Sequence, residues 1–295
     1  MAMQVGMTLP IMEPDLDRRL LRTWVEAVDR GPYSSLAFGE RMVFSNPDAM
    51  ALMGACAAWT ERVRLVTTIF IATLHSPVLL AKHIATADML SNGRVTIGVG
   101  IGGREEDYAA VGADIALRKQ AELARRVDTM RRVWAGEHVV PGVARAVGPA
   151  PVQAGGPPVL AGAMGPKAIA AASAWADGVC GMSFGPDVGE IERGFTLVRQ
   201  CWADAGRPAP HCGTSLWFAL GDNAREQMRT HLKRYFTWLP PGEVDAIAAH
   251  AGFAGSAAEL KTLLRQIADT GADEVMLIST SSDPDQVDRV ADLIG

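Results

Sequence analysis

Short apolar runs of strand length alternate with amphipathic stretches of helix length, and the alternation repeats about eight times along the chain. The strand-like runs are residues 4–9, 35–39, 64–71, 95–99, 159–162, 178–182, 212–220 and 274–278, all within the roughly three to ten residues usual for a strand. Helical patterns follow at 16–29, 47–59, 77–90, 117–134, 166–175, 188–205, 224–238 with 257–270, and 284–294. Four helix starts, at Asn46-Pro47, Ser76-Pro77, Gly165-Pro166 and Asp283-Pro284, pair a capping residue with proline at the first helical position, where its missing N–H costs nothing. The repeat predicts βα units around a parallel sheet, and its count predicts a closed (β/α)8 TIM barrel. Two stretches break the rhythm. Residues 135–158 dissolve into Gly, Pro, Val and Ala after the fourth helix, an excursion with room for a small hairpin. Residues 240–253 follow the seventh strand as a candidate mobile cover over the barrel mouth.

Composition narrows the class. At 295 residues and 48% hydrophobic content the chain can bury a full core, and one barrel of roughly 250 residues with short insertions accounts for it as a single domain. A net charge of −5 without a dense Lys/Arg block points away from nucleic acid and anionic membrane and towards a small-molecule substrate. The amino terminus lacks a basic segment followed by an apolar one, and no stretch reaches about 18 uninterrupted apolar residues, so a soluble cytoplasmic protein is expected. Cys56, Cys180, Cys201 and Cys212 form no C-x-x-C pair and stand beside no metal-spaced histidine. Packed thiols are expected, with neither structural zinc nor a disulfide framework.

In a barrel the chemistry sits on the loops that follow the strand carboxyl ends. Those ends offer Thr8, then Glu40 and Arg41, the segment from Thr67 to His75, the glycines Gly98, Gly100, Gly102 and Gly103, and finally Gly162-Ala-Met-Gly165 with Lys167. The glycine run removes the β-carbons from one face of its strand end and opens the backbone to an anion or a flat ring. It is not a dinucleotide fingerprint, because the third glycine is missing and Glu105, Glu106 and Asp107 would repel a pyrophosphate. Gly162 and Gly165 precede a helix whose positive end suits a phosphate, or they simply make a tight turn. Lys167 adds a charge there or is merely solvated. Glu40 and Arg41 orient a substrate and stabilise developing charge, or form a salt-linked loop pair. His75 is a candidate proton donor, or a cap or packing residue at a helix start. Trp59, Trp134 and Trp175 close helices as packing residues, whereas Trp217 and Phe218 on the seventh strand are placed to meet a planar ligand.

The stretches Phe38-Gly-Glu-Arg-Met-Val-Phe44, Thr60-Glu-Arg-Val-Arg-Leu65, His75-Ser-Pro-Val-Leu-Leu-Ala-Lys82, Thr86-Ala-Asp-Met-Leu-Ser-Asn-Gly-Arg94 running into Gly98-Val-Gly-Ile-Gly-Gly-Arg-Glu-Glu-Asp-Tyr108, and Ala176-Asp-Gly178 together resemble the bacterial luciferase-like flavin and deazaflavin oxidoreductases. Within that family they resemble the actinobacterial group predicted to use coenzyme F420, almost end to end. The resemblance implies a (β/α)8 barrel with the tricyclic ring over the strand carboxyl ends and its phosphate held after the fourth and fifth strands. It also implies a non-proline cis peptide near Thr68–Ile69, and cofactor contacts at Thr8, Thr68, Ile69, Gly100, Ile101, Gly102, Gly162, Ala163, Met164 and Gly165. Two departures stand out: Arg41 replaces the catalytic histidine of the family's sugar-phosphate dehydrogenases, and Gly103 replaces their glutamate. That specific activity is therefore not expected. The expectation is an F420-dependent oxidoreductase using Glu40, Arg41 and His75, with an FMN-dependent monooxygenase or a non-catalytic flavin-binding protein as alternatives. A metal-dependent hydrolase would need several His and Asp ligands at strand ends, where only His75 is found. A homodimer is implied, with Met50, Met53 and Trp59 as a candidate contact face.

Overall fold

The computed structural model describes residues 3–295. Its strands are β1 (Gln4–Thr8), β2 (Ser35–Phe38), β3 (Arg64–Ile71), β4 (Val95–Gly100), β5 (Val159–Ala161), β6 (Gly178–Cys180), β7 (His211–Leu220), β8 (Phe253–Gly255) and β9 (Glu274–Ser279). The α-helices are α1 (Arg18–Arg30), α2 (Ala49–Trp59), α3 (Pro77–Leu90), α4 (Glu105–Ala110), α5 (Gln120–Trp134), α6 (Pro166–Ala172), α7 (Val188–Asp204), α8 (Ala224–Tyr235), α9 (Pro241–Ala248), α10 (Ala257–Asp269) and α11 (Asp285–Ile294). Every strand-like run of the sequence is a strand, because a continuous apolar run between helical stretches has few other ways to bury both of its faces.

The chain groups into two compact units. One holds Phe38–Cys180 and Val198–His211. In it β3, β4, β5 and β6 run parallel in chain order, with Leu65 opposite Val95, Ile97 opposite Val159 and Leu160 opposite Gly178. The other holds the chain up to Ala37, Gly181–Leu197 and Cys212–Gly295. There β2, β1, β9, β7 and β8 lie side by side, all parallel. Alternation sends Val5, Met7, Leu36, Leu216 and Leu277 to one face of this second unit, all of them apolar. Gly6, Ser35, Ser215 and Met276 share the opposite face, with Thr8, Ala37, Trp217 and Ile278 one layer nearer the carboxyl ends. Gly6 has to be glycine, since a β-carbon there would collide with Ser35 and Met276.

Several local expectations are corrected. Residues 135–158 form no hairpin: Pro141, Pro149, Pro151, Pro157 and Pro158 cannot donate to a ladder, and the segment contains no strand. Residues 240–253 are not simply irregular, because they form α9 and lead into β8, which pairs with the end of β7. Asn46 does not cap α2; Asp48 does, accepting from Ala51 N at 2.8 Å, and Pro47 lies outside the helix. Pro284 likewise takes the cap position of α11 itself, whereas Ser76-Pro77 and Gly165-Pro166 start their helices as expected. The acids Glu105, Glu106 and Asp107 form the first turn of α4, where negative charge is favoured by the helix dipole.

Candidate active site

β3 leaves its ladder at Thr68 and Ile69. Its register with β4 shifts between Thr67 and Phe70, and the Thr68–Ile69 peptide is cis, at the position the resemblance implies. The glycines of β4 and β5 serve this bulge first. A β-carbon on Gly100 would collide with Ile69 Cδ1, one on Gly162 would lie 2.7 Å from Ile69 Cγ2, and one on Gly98 would collide with the Thr67 carbonyl. The space above Gly100 and Gly162 is thus filled by the protein's own side chain and not left clear. In the two glycine-rich loops, open space remains at Gly103 and Gly165. Gly102 adopts φ 66°, and a β-carbon there would sit 2.9 Å from Ile71. Thr68 and Ile69 stay half-buried, as does Ile101.

Glu40 is wired to the bulge. Its N–H donates to Ile69 O at 3.1 Å, and its Oε2 accepts from Ile71 N at 2.7 Å. Its Oε1 stands 2.8 Å from Nε2 of His75. Glu40 and His75, separate candidates in the sequence, therefore form a carboxylate–imidazole pair. Gly39 makes the approach possible, since a β-carbon there would be 2.7 Å from Thr68 O. The His75 ring meets Phe70 edge-on at 6.4 Å, and its carbonyl accepts from Arg126 Nη1.

Arg41 turns away from Glu40. Its guanidinium lies 3.8 Å from Glu106 and 4.2 Å from the centre of the Phe44 ring, with its side chain almost fully buried. The loop-pair alternative therefore had the wrong partner. Asp107 braces this loop: fully buried, it accepts from Met42 N and Val43 N, both at 2.9 Å, and from Arg104 Nε at 2.8 Å. Tyr108 holds the glycine loop by donating to Ile101 O at 2.7 Å. Burial raises the pKa of its hydroxyl, which keeps the donor proton in place.

Glu122 anchors the arginine behind His75. It accepts from Arg125 and, at 2.7 Å, from Arg126 Nε, and these arginines lower its pKa to about 2, led by the hydrogen bond from Arg125. A depressed carboxyl stabilises the fold above its unfolded pKa of 4.5 and loses that contribution as pH falls towards about 2. In urea melts, Glu122→Gln is accordingly less stable than wild type at neutral pH, and the gap closes between about pH 4.5 and about 2.

After β5, Gly162 N donates to Val99 O at 2.8 Å, Ala163 is buried, and Met164 is exposed. Gly165 caps the seven-residue α6, and Lys167 in its first turn is exposed. Thr8 belongs to the other unit, where its carbonyl accepts from Trp24 Nε1 at 3.0 Å while its buried Oγ1 has no hydrogen-bond partner. Trp217 is in that unit too, packed among Phe184, His231, Tyr235 and Phe236 instead of lying bare for a planar ligand. Phe218 points to the opposite face and is buried. This unit also holds a second acid–histidine pair, Glu13–His231, at 2.6 Å, which the sequence did not suggest. Pairs of this kind leave no spacing signal when the partners are hundreds of residues apart.

The fold is a closed, parallel eight-stranded TIM barrel with surrounding helices, shared with a solved F420-dependent secondary alcohol dehydrogenase in complex with an F420–acetone adduct (TM-score 0.80, 18% identity, 100% of this chain and 98% of that one). The chain belongs to the luciferase-like monooxygenase family, whose profile matches residues 3–290. A second similar structure is the FMN-bound oxygenating constituent of 3,6-diketocamphane monooxygenase from the CAM plasmid of Pseudomonas putida, a type II Baeyer–Villiger monooxygenase (TM-score 0.73, 14% identity, 100% and 97% coverage). An uncharacterized protein of Mycobacterium tuberculosis (strain ATCC 25618 / H37Rv) is 36% identical over 174 residues, 54% of this chain and 57% of that protein. An F420-dependent glucose-6-phosphate dehydrogenase of Amycolatopsis mediterranei (strain U-32) is 34% identical over 96 residues, 32% of this chain and 29% of the enzyme. The matched lengths are thus well short of the full curated relatives. Among the described residues, no helix is long and apolar enough to cross a membrane.

Proposed function

We propose that the chain is an F420-dependent oxidoreductase that moves a hydride between the deazaflavin and a small organic substrate. The observation that carries this reading is the wiring of Glu40 to both the β3 bulge and His75. It couples a surface suited to a flat ring with an acid–base group. The residues present fit such a cofactor. Thr68 and Ile69 offer a half-buried shelf, and Gly103 and Gly165 keep open space in the two loops assigned to its phosphate. Ile101, Gly102, Ala163 and Met164 complete the assigned contacts from this unit. The bound cofactor supplies or takes the hydride, while the protein positions and polarises.

His75 handles the accompanying proton at the substrate oxygen. Its Nε2 is engaged by Glu40, which leaves Nδ1 as the exchanging atom and fixes the ring's orientation. Arg41 is too buried to touch substrate and acts through its positive potential. We place the protein in the cytoplasm as a homodimer, its contact resting on Met50 and Trp59, which are half-buried, more than on Met53, which is buried.

An FMN-dependent monooxygenase is the second reading, favoured by the likeness to the FMN-bound oxygenase. Equilibrium binding to F420 and to FMN, followed by absorbance and tryptophan fluorescence, separates them. F420 is expected to bind at least about tenfold more tightly, a difference of about 1.4 kcal/mol. Preference for FMN moves the function to the monooxygenase, and binding of neither overturns both.

A further inference from the structure

The unit that contains Thr8 holds a second histidine site which the cofactor reading does not use. His231, on α8, is 2% exposed. Its Nδ1 lies 2.6 Å from Glu13 Oε1, and the other oxygen of Glu13 lies 2.8 Å from Arg234 Nη1. The ring stacks on Tyr235 at 6.1 Å and meets Trp217 edge-on at 6.3 Å. Its Nε2, also buried, has no hydrogen-bond partner. A buried polar nitrogen left without a partner is the exception in folded proteins and calls for a ligand or a water. With the Nδ1 proton committed to a carboxylate, a neutral ring presents Nε2 as a lone pair.

The strand register shows where a ligand would lie. Met7 pairs with Leu277 and Trp217 pairs with Ile278, so Thr8, Ile278 and Trp217 stand level on three neighbouring strands and share one face. Thr8 and Trp217 are buried and Ile278 between them is half-buried, so this face opens at the middle strand. Thr8 and Trp217 are two strand spacings apart, about 10 Å, the span of a small organic molecule. Thr8 Oγ1 is a second buried polar atom without a partner on this layer.

We infer that His231 is a substrate-binding residue whose Nε2 accepts a hydrogen bond from the hydroxyl of a small molecule with an apolar or aromatic body, seated over Ile278. Glu13 is a positioning residue that fixes the imidazole tautomer. The inference deepens the oxidoreductase reading by naming its substrate class, and it rests on that reading for a role in turnover.

The test needs no redox cofactor, so its failure is distinguishable from failure of F420 or FMN binding. Full-length protein with ¹⁵N-labelled histidine is titrated with p-cresol and with toluene, the His231 signals being assigned by their loss in His231→Phe. The expected result is a shift of the Nε2 resonance with p-cresol and not with toluene. His231→Phe should also weaken p-cresol at least tenfold while leaving toluene within threefold. Should His231→Phe fail to fold, Glu13→Gln provides the second variant, expected to weaken p-cresol selectively by releasing the tautomer. Equal responses to both probes, or an Nε2 held by a water that neither probe displaces, would overturn the inference.

Discussion

Replacing His75 with glutamine is expected to lower turnover about 10²- to 10⁴-fold, the range usual for loss of a positioned acid–base group, with cofactor affinity kept within about threefold. The geometry sets this expectation. Glu40 holds Nε2 at 2.8 Å, Arg126 holds the carbonyl of the same residue, and the ring rests edge-on against Phe70. An imidazole restrained at two points on an anchored backbone is preorganised, and little of its effect is lost to reorientation. Glutamine keeps hydrogen-bonding capacity but cannot exchange a proton near neutral pH, so the loss falls on kcat and not on binding. Glu40→Gln tests the other half of the pair. Its amide oxygen can still accept from Ile71 N, but the carboxylate that orients the imidazole is gone, so kcat should fall while cofactor affinity is kept. Steady-state kinetics across pH with F420 decides the matter. An unchanged kcat in His75→Gln would remove His75 from the chemistry and leave Glu40 as a brace for the bulge alone.

The βα rhythm was legible because burial on both faces forces apolar runs, and eight such runs could be read without knowing how they pair. The extra strand β8 was not, because Phe253-Ala-Gly255 is three residues long and gains its strand geometry from pairing with Phe218–Leu220. The hairpin expected in 135–158 failed on its prolines. For the site, the strand ends offered Glu40 and His75 separately, and the structure joins them in one pair, yet the sequence suggested Arg41 as the neighbour of Glu40 because the two are adjacent in the chain. Both residues lie past the end of β2, where chain neighbours need not share a partner, and Arg41 goes to Glu106 and Phe44. The glycines were read as clearing room for a ligand. Which of them face Ile69 and which face open space depends on the β3 bulge, and no pattern of spacing encodes that. Glu13 and His231 lie too far apart in sequence for any periodicity to link them.

Asp107→Ala is expected to be the most destabilising change at this end of the unit, by about 3 kcal/mol. The side chain is fully buried and satisfies Met42 N and Val43 N while pairing with Arg104. Truncation strands two backbone donors, each at the low end of roughly 1–3 kcal/mol because Met42 is half-buried and Val43 exposed. Arg104 is partly exposed and can rehydrate, so the lost ion pair adds less than the 3–5 kcal/mol typical of a fully buried one. At about 2–4 °C per kcal/mol for a chain of this size, the melting temperature should fall by roughly 6–12 °C. Asp107→Asn separates the two components. Its carbonyl oxygen can still accept from both N–H groups, so it should recover more than half of the loss, failing only at Arg104. The consequence for function follows from what the two donors hold. Met42 and Val43 follow directly on Glu40 and Arg41, so in Asp107→Ala the loop that presents the Glu40–His75 pair loses a carboxylate brace. Below the new melting temperature, kcat should therefore drop in Asp107→Ala and recover in Asp107→Asn. An Asn variant that melts like the Ala variant would instead place the stabilisation in the Arg104 ion pair, not in the two backbone donors.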